Sequence, residues 1–296
     1  LDSSSTSSSR SSWQALALGL LLALLYEGAL RTGRVLPGHG VGQNQKNVVQ
    51  SEAFVFGGET RSGTVVVGSS LAANLMDGFL SVRPAENLAL GGESSLTGLA
   101  LVADAPSGQR KVVIELSHAL NVVKDPKLTA LTEAPITAIA TRNCWSLRQE
   151  FQPANVLSRY LARSSASRRD EPGPAPLAES VRGPIIADVM KLFSAPPTDD
   201  ESRAYQANLT ALRAELDGCA AKGLECVLFW PPIDAAINDS PRERTFYRMA
   251  RGEFPTSRYH WLDSVSTSAA RTNDGYHLIP ADARAYGRAL AEAVGP

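Results

Sequence analysis

At 296 residues the chain is long enough for one large or two small domains, at roughly 150 residues per domain. Hydrophobic residues make up 44% and charged residues 20%, enough to bury a core. The 29 basic and 30 acidic side chains leave a net charge of −1, which excludes binding of nucleic acid or anionic lipid through bulk positive charge. Aromatic residues, at 6%, argue against a platform of stacked rings for sugars or single strands. Imidazole chemistry must choose among His39, His118, His260 and His277. Cys144, Cys219 and Cys226 show neither a CxxC pair nor a metal-ligand spacing. No metal is therefore expected, and the thiols read as structural or as one incidental bridge.

The first 12 residues are Ser-rich and read as an unfolded tail. Residues 13–30 open with an uncharged, Leu-rich run from Trp13 to Tyr26, which reads as a membrane anchor or signal segment. No small-residue cleavage site follows, which favours a retained anchor with Glu27 near its edge. Residues 31–62, rich in Gly, Gln and Asn, read as a tether. The run Gly38-His39-Gly40-Val41-Gly42 follows no strand and lacks Gly-Lys-Ser/Thr, so it is not a phosphate loop.

Residues 63–296 read as one α/β domain. Thr64-Val65-Val66-Val67 is a β-branched run, as a buried parallel strand requires, and Leu71 to Leu80 follows at helical spacing. Further strands are expected at Asn87–Leu90, Val112–Leu116, Glu225–Trp230 and Tyr259–Leu262, and another at Ile136–Ala140. Helices are expected at Trp145–Ala162, Glu201–Lys222 and Ala281–Val294. Residues 164–179 carry Pro, Gly, Ser and charge, and read as an exposed insertion loop. Strands alternating with helices imply a parallel sheet covered on both faces.

In such sheets, sites form at the carboxyl ends of the strands. The first strand ends in Gly68-Ser69-Ser70-Leu71, which sets a serine at a helix N-terminus, where free N–H groups and the helix dipole favour an oxyanion. Near the C-terminus, Asp274-Gly275-Tyr276-His277 offers a base and its orienting carboxylate on one turn. Gly92, after the second strand, lets backbone approach a ligand. Each feature has an ordinary structural reading: helix cap, turn residue, turn glycine. His118 reads equally as a loop or cap residue, His260 as part of a strand, and Arg142, Asn143 and Trp145 as structural.

Together these pieces are more specific. Gly-x-Ser between strand and helix, Asn87 through Gly92 after the second strand, and Asp-x-x-His before the last helix resemble the SGNH (GDSL-like) hydrolase superfamily. The resemblance runs from Gly63 to Gly295 and takes in VLFWPP at 227–232 and WLDS at 261–264, with GSSL standing where that family has GDSL. It implies a flavodoxin-like, three-layer α/β sandwich with a parallel sheet, preceded here by an N-terminal hydrophobic helix. It also implies Ser70 as nucleophile, His277 as base, Asp274 as its partner, the N–H groups of Ser70 and Gly92 as oxyanion donors, and no cofactor.

The third block departs from the family. With Ser117 aligned to the family glycine, Ala119 takes the place of the oxyanion-holding asparagine, and Asn121 and His118 are the candidate substitute donors. This departure, with the anchor and tether, resembles the membrane-tethered branch that includes alginate O-acetylation and teichoic acid D-alanylation proteins. That branch implies acyl transfer, as an O-acetyltransferase or acyl-esterase, to or from a cell-surface or secreted polysaccharide. The partner would be a membrane-bound acyltransferase, and the site would lie in the periplasm beyond a bacterial inner membrane, or outside the cell if the protein is secreted. A non-catalytic scaffold of a polymer modification or export complex is the second expectation. A nucleotide-binding protein shares the sheet but lacks the phosphate loop.

Overall fold

The structure, a computed structural model, describes residues 7–38, 40–57, 63–104, 108–133, 135–166, 177–263, 265 and 270–295. In chain order the elements are α1 (Ser7–Arg31), α2 (Gln43–Phe56), β1 (Thr64–Gly68), α3 (Ser70–Leu80), β2 (Glu86–Ala89), α4 (Ser95–Asp104), β3 (Lys111–Glu115), α5 (Pro126–Glu133), α6 (Pro135–Asn143) and α7 (Pro153–Ala166). Then come α8 (Glu179–Phe193), α9 (Asp199–Ala221), β4 (Glu225–Phe229), α10 (Ala235–Asn238), α11 (Pro241–Glu253), β5 (His260–Trp261) and α12 (Pro280–Ala293). The contacts divide the chain into two compact units, Leu1–Glu52 with Ala134–Asp170, and Ala53–Glu133 with Glu171–Pro296.

The larger unit is an α/β layer structure. Its five strands are all parallel, in the order β2-β1-β3-β4-β5. Strands β1 and β3 are buried along their whole length, which is why they read as continuous apolar runs rather than alternating ones. Val66, Val113, Val227 and Phe229 pack with α3 and α12 in one core cluster. Helix α4 packs on β1 and β3, and α9 on β4. Helix α9 buries Tyr205, Leu209, Leu212, Leu216 and Cys219 at helical spacing.

Glycine governs one close approach that matters to the site. Helices α3 and α12 cross at Gly78 and Gly287, where an added methyl would meet the Arg284 carbonyl and the Leu75 carbonyl oxygen, each at 2.2 Å. That crossing fixes α3, whose first residue is Ser70. In register, Gly68 pairs with Ala89 and Glu115 with Phe229. The residues that follow these four positions therefore leave the sheet along one edge.

The smaller unit contains the expected apolar segment. Among the described residues one helical stretch, Ser12–Arg31, is long and apolar enough to cross a membrane. Its last turns are bolted to the segment 143–151. The Tyr26 hydroxyl donates to the Phe151 carbonyl at 2.5 Å, and Glu27 accepts the backbone N–H groups of Trp145 and Ser146 at 3.0 and 2.8 Å.

Several expectations are corrected here. The expected tether, 31–62, contains α2. The helix of the expected Ser-rich tail begins at Ser7, and residues 1–6 lie outside the described ones. The expected strand at 136–140 is instead part of α6, and the expected helix from Trp145 opens with two 3-10 turns, Trp145–Leu147 and Gln149–Phe151, before α7. Periodicity over the five residues Ile-Thr-Ala-Ile-Ala did not separate strand from helix at 136–140. Residues 134–170 cluster with the N-terminal stretch, so the sheet unit is not the continuous 63–296 segment expected. Of the expected insertion at 164–179, residues 167–176 lie outside the described ones, as does His39. All three cysteines are free thiols.

Candidate active site

The turn from β1 into α3 is held by a buried carboxylate. Ser69 caps α3 in extended conformation, and its Oγ accepts from the Leu71 N–H at 3.1 Å. Glu115, at the carboxyl end of β3 and only 2% exposed, accepts from the Ser69 N–H (2.8 Å), the Ser69 hydroxyl (2.8 Å), the Ala72 N–H (3.0 Å) and the Ser117 hydroxyl (2.6 Å). Four donors compensate a charge that burial would otherwise penalise by several kcal/mol, or ~5 in order of magnitude. Gly68 must lack a side chain because a methyl there would lie 2.6 Å from the Glu115 Oε2.

This arrangement assigns the first-turn donors of α3. The Leu71 N–H goes to Ser69 Oγ, the Ala72 N–H to Glu115, and the Ala73 N–H closes the first helical bond to the Ser69 carbonyl at 3.0 Å. Among the described residues the Ser70 N–H has no partner. A helix start normally presents several free N–H groups; this one presents a single donor, on the residue that carries the candidate nucleophile.

The base comes from the turn before α12. Asp274 Oδ1 accepts the backbone N–H groups of Tyr276 (3.0 Å) and His277 (2.7 Å), which leaves Oδ2 to meet His277 Nδ1 at 2.7 Å. His277 Nε2 lies 2.8 Å from Ser70 Oγ. Gly275 sits at φ +94°, a backbone conformation that favours glycine, and a methyl there would lie 2.3 Å from the Ile237 Cδ1, whose side chain would have to shift. The turn is closed by the Asn273 N–H to His277 carbonyl bond (2.9 Å) and tied to α3 by Asn74 Nδ2 on the Leu278 carbonyl (2.9 Å).

Electrostatics follow the geometry. Burial works against the Asp274 charge, but the His277 side chain and the two backbone N–H groups outweigh it and bring the carboxyl down to about 2. The Asp274 hydrogen bond raises the His277 imidazole above its ordinary value, with burial opposing and Glu115 adding a small push in the same direction.

Ser70 and His277 line a cavity of about 570 Å³ with Gly92, His118, Ala119 and Asn121. Gly92 has φ +79° and an N–H free of partners among the described residues. Ala119 brings only a methyl group to the wall, and the 3-10 turn His118–Asn121 carries His118 and Asn121 there. Five of the six residues singled out from the sequence, Ser70, Gly92, His118, Asn121 and His277, therefore line one cavity, and the sixth, Asp274, stands behind His277 on its Nδ1. Tyr276, Phe193, Phe246, Val122 and Leu192 make its walls largely apolar. Sequence reasoning passed over Glu115 and also Glu243. The signal for Glu115 is an acidic residue ending an otherwise apolar strand, at the edge where sites form. A larger cavity, about 1230 Å³ and lined by Trp230, Pro231 and Pro232, contains none of the three relay residues.

His260 stands in β5 with an exposed side chain. No grouping of three or more metal-ligating side chains occurs among the described residues. No family model matches this sequence, and no curated protein matches it.

Proposed function

We propose that this chain is an SGNH-type serine acyl-transfer enzyme, acting as an O-acetyltransferase or acyl-esterase on a cell-surface or secreted polysaccharide. The observation that carries the reading is the continuous relay from Ser70 Oγ through His277 to Asp274, at 2.8 and 2.7 Å. Strand order and the placement of the relay at the carboxyl edge of the sheet support the same family.

In this reading Ser70 Oγ attacks the acyl carbon of an ester while His277 Nε2 takes its proton. The N–H groups of Ser70 and Gly92 hold the oxyanion. The ester C–O bond then breaks, and the leaving alcohol receives the proton from His277. The acceptor hydroxyl, or water, repeats these steps in reverse to release Ser70. Asp274 fixes the His277 tautomer with Nδ1–H toward itself and stabilises the imidazolium. The apolar helix Ser12–Arg31 supports a membrane-anchored protein with its site on the periplasmic or outer side, near a membrane-bound acyl donor. Secretion is the alternative location.

The test is labelling with a fluorophosphonate, together with p-nitrophenol release from p-nitrophenyl acetate. Both are expected in the wild type and absent from Ser70→Ala and His277→Ala, with losses of roughly 10⁴-fold or more. Labelling that persists in Ser70→Ala overturns the nucleophile. Folded wild type that takes no label favours the scaffold reading, for which Ala119 at the oxyanion wall is the supporting observation.

A further inference from the structure

His277 is not the only imidazole in the cavity with a carboxylate beside it. His118 Nδ1 lies 3.5 Å from Glu243 Oε2. Glu243, at the start of α11, is 1% exposed, and neither of its carboxylate oxygens has a hydrogen-bond partner among the described residues. A carboxylate buried in this way needs a donor, and the facing group is His118. His118 Nδ1 is itself buried without a hydrogen bond, whereas Nε2 has no protein partner and is not buried. With Nδ1–H turned to Glu243, Nε2 presents a lone pair to the cavity.

The ring cannot easily turn away. It packs against Tyr276 (centroids 4.7 Å apart) and edge-on to Phe193 (5.8 Å). Its backbone is anchored to the same pin as the nucleophile, because Ser117 and Ser69 both bond to Glu115. Residues 70 and 118 thus start from adjoining points on one edge. The other charged residues on this wall are already engaged: Glu93 accepts from the Thr97 hydroxyl at 3.1 Å, and Arg242 is bonded to Glu201 and lies over the Phe193 ring at 5.6 Å. His118 Nε2 is thus a hydrogen-bond acceptor open to a mostly apolar space, beside a relay that already has its own base; the other unpartnered acceptor on this wall, Asn121 Oδ1, is buried. An acceptor so placed recognises a ligand that brings a donor.

We propose that His118, positioned by Glu243, binds the acyl acceptor by accepting a hydrogen bond from the hydroxyl next to the one that attacks. The site thereby selects polyols over simple alcohols. This rests on the acyl-transfer reading above. In the transfer step the acceptor oxygen bonds to the acyl carbon and the Ser70 Oγ–acyl bond breaks. His277 takes the acceptor proton and returns it to Ser70 Oγ. His118 neither gains nor loses a proton.

The test is a competition within one reaction. Full-length protein acylated by p-nitrophenyl acetate is offered equal concentrations of trans-1,2-cyclohexanediol and cyclohexanol, and the two acetate products are measured. Both come from the same acyl-enzyme, so their ratio does not depend on how fast Ser70 is acylated. After correction for two equivalent hydroxyls, the diol product should dominate about tenfold in the wild type, the worth of one hydrogen bond. The ratio should fall toward unity in His118→Ala and Glu243→Ala, and should be largely kept in Glu243→Gln, whose amide oxygen can still accept from Nδ1–H. Should His118→Ala not fold, His118→Asn reads the same loss. A wild-type ratio near unity, or a ratio unchanged in the His118 variants, overturns this inference alone when p-nitrophenol release still depends on Ser70. Release that survives in Ser70→Ala overturns the acyl-transfer reading itself.

Discussion

His277 and His118 line the same cavity, and each has a carboxylate beside Nδ1, yet the two pairs are built differently. Asp274 lies within one turn of His277, half exposed, with one oxygen on two backbone N–H groups and the other on the imidazole at 2.7 Å. Glu243 reaches His118 from a different helix, fully buried, at 3.5 Å. The first pair is set by local geometry and aimed at Ser70. The second is set by tertiary packing and faces open cavity. The difference separates two tasks: moving a proton needs a short, charge-stabilised relay, whereas holding a ligand needs only a fixed acceptor.

The largest effect that could break this comparison is Asp274→Asn. The amide would donate to His277 Nδ1 and force the other tautomer, leaving Nε2 protonated toward Ser70. A loss of roughly 10⁴ in kcat is expected, measured with p-nitrophenyl acetate. A loss below tenfold would mean that the relay is not the working base. Next is a gain. Ala119 brings a methyl where an oxyanion donor would stand in the resemblance, and one such donor is worth roughly 10²-fold or more. Ala119→Asn should therefore raise acyl turnover by about 10²-fold at best. Unchanged turnover with intact folding would show that His118 or Asn121 already supplies the donor, which would give His118 a catalytic task as well.

Glu115 sharpens the comparison from beneath, since it ties the nucleophile turn and the His118 turn to one carboxylate. Glu115→Gln removes the charge and places an amide NH₂ among groups that are mostly donors. It should cost about 2 kcal/mol in a urea titration. Without its negative charge the acid limb of the pH–rate profile should also move slightly downward, because Glu115 contributes to the raised His277 value. A purely structural role would move the first readout and not the second.

The parts of the molecule legible in the sequence are those encoded locally. Val65-Val66-Val67 announces a buried parallel strand by composition, and Asp274-Gly275-Tyr276-His277 holds its glycine bend and the hydrogen bonds between Asp274 and His277 within four residues. Gly68-Ser69-Ser70 was legible as a strand-to-helix turn. The role of Glu115 was not, because its partners Ser69 and Ala72 come from another strand–helix turn and no spacing rule links them. Glu243 was hidden for the same reason: on a helical pattern it looks like a first-turn acidic residue. The unit formed by α1 and residues 134–170 was illegible because its cohesion comes from long-range bonds such as Glu27 to Trp145 and Ser146. An apolar run followed by a polar, glycine-rich stretch has the composition of an anchor and a tether whether or not such bonds exist.

The smallest effect tests whether the catalytic pair behaves as a coupled charge pair in solution. Asp274 is lowered in the folded protein, so its contribution to stability is present above the ordinary aspartate value near pH 4 and is lost as pH falls through about 2. His277 is raised, so its contribution is complete below about pH 6.5 and is lost as pH rises through the folded value above that. Activity needs neutral His277, and the rate should therefore climb with pH through a midpoint above about 6.5, just where the stabilising contribution fades. Both side chains are about two-fifths exposed, and solvent screening should keep the stability term below about 1 kcal/mol. The measurement is wild type against Asp274→Asn by urea titration from pH 3 to 9. The gap between them should be widest between roughly pH 4 and 6.5 and narrow on either side. A gap that narrows on the acid side but stays constant from about pH 6.5 to 9 would mean that the carboxylate holds the turn through its backbone bonds alone and leaves the imidazole unperturbed.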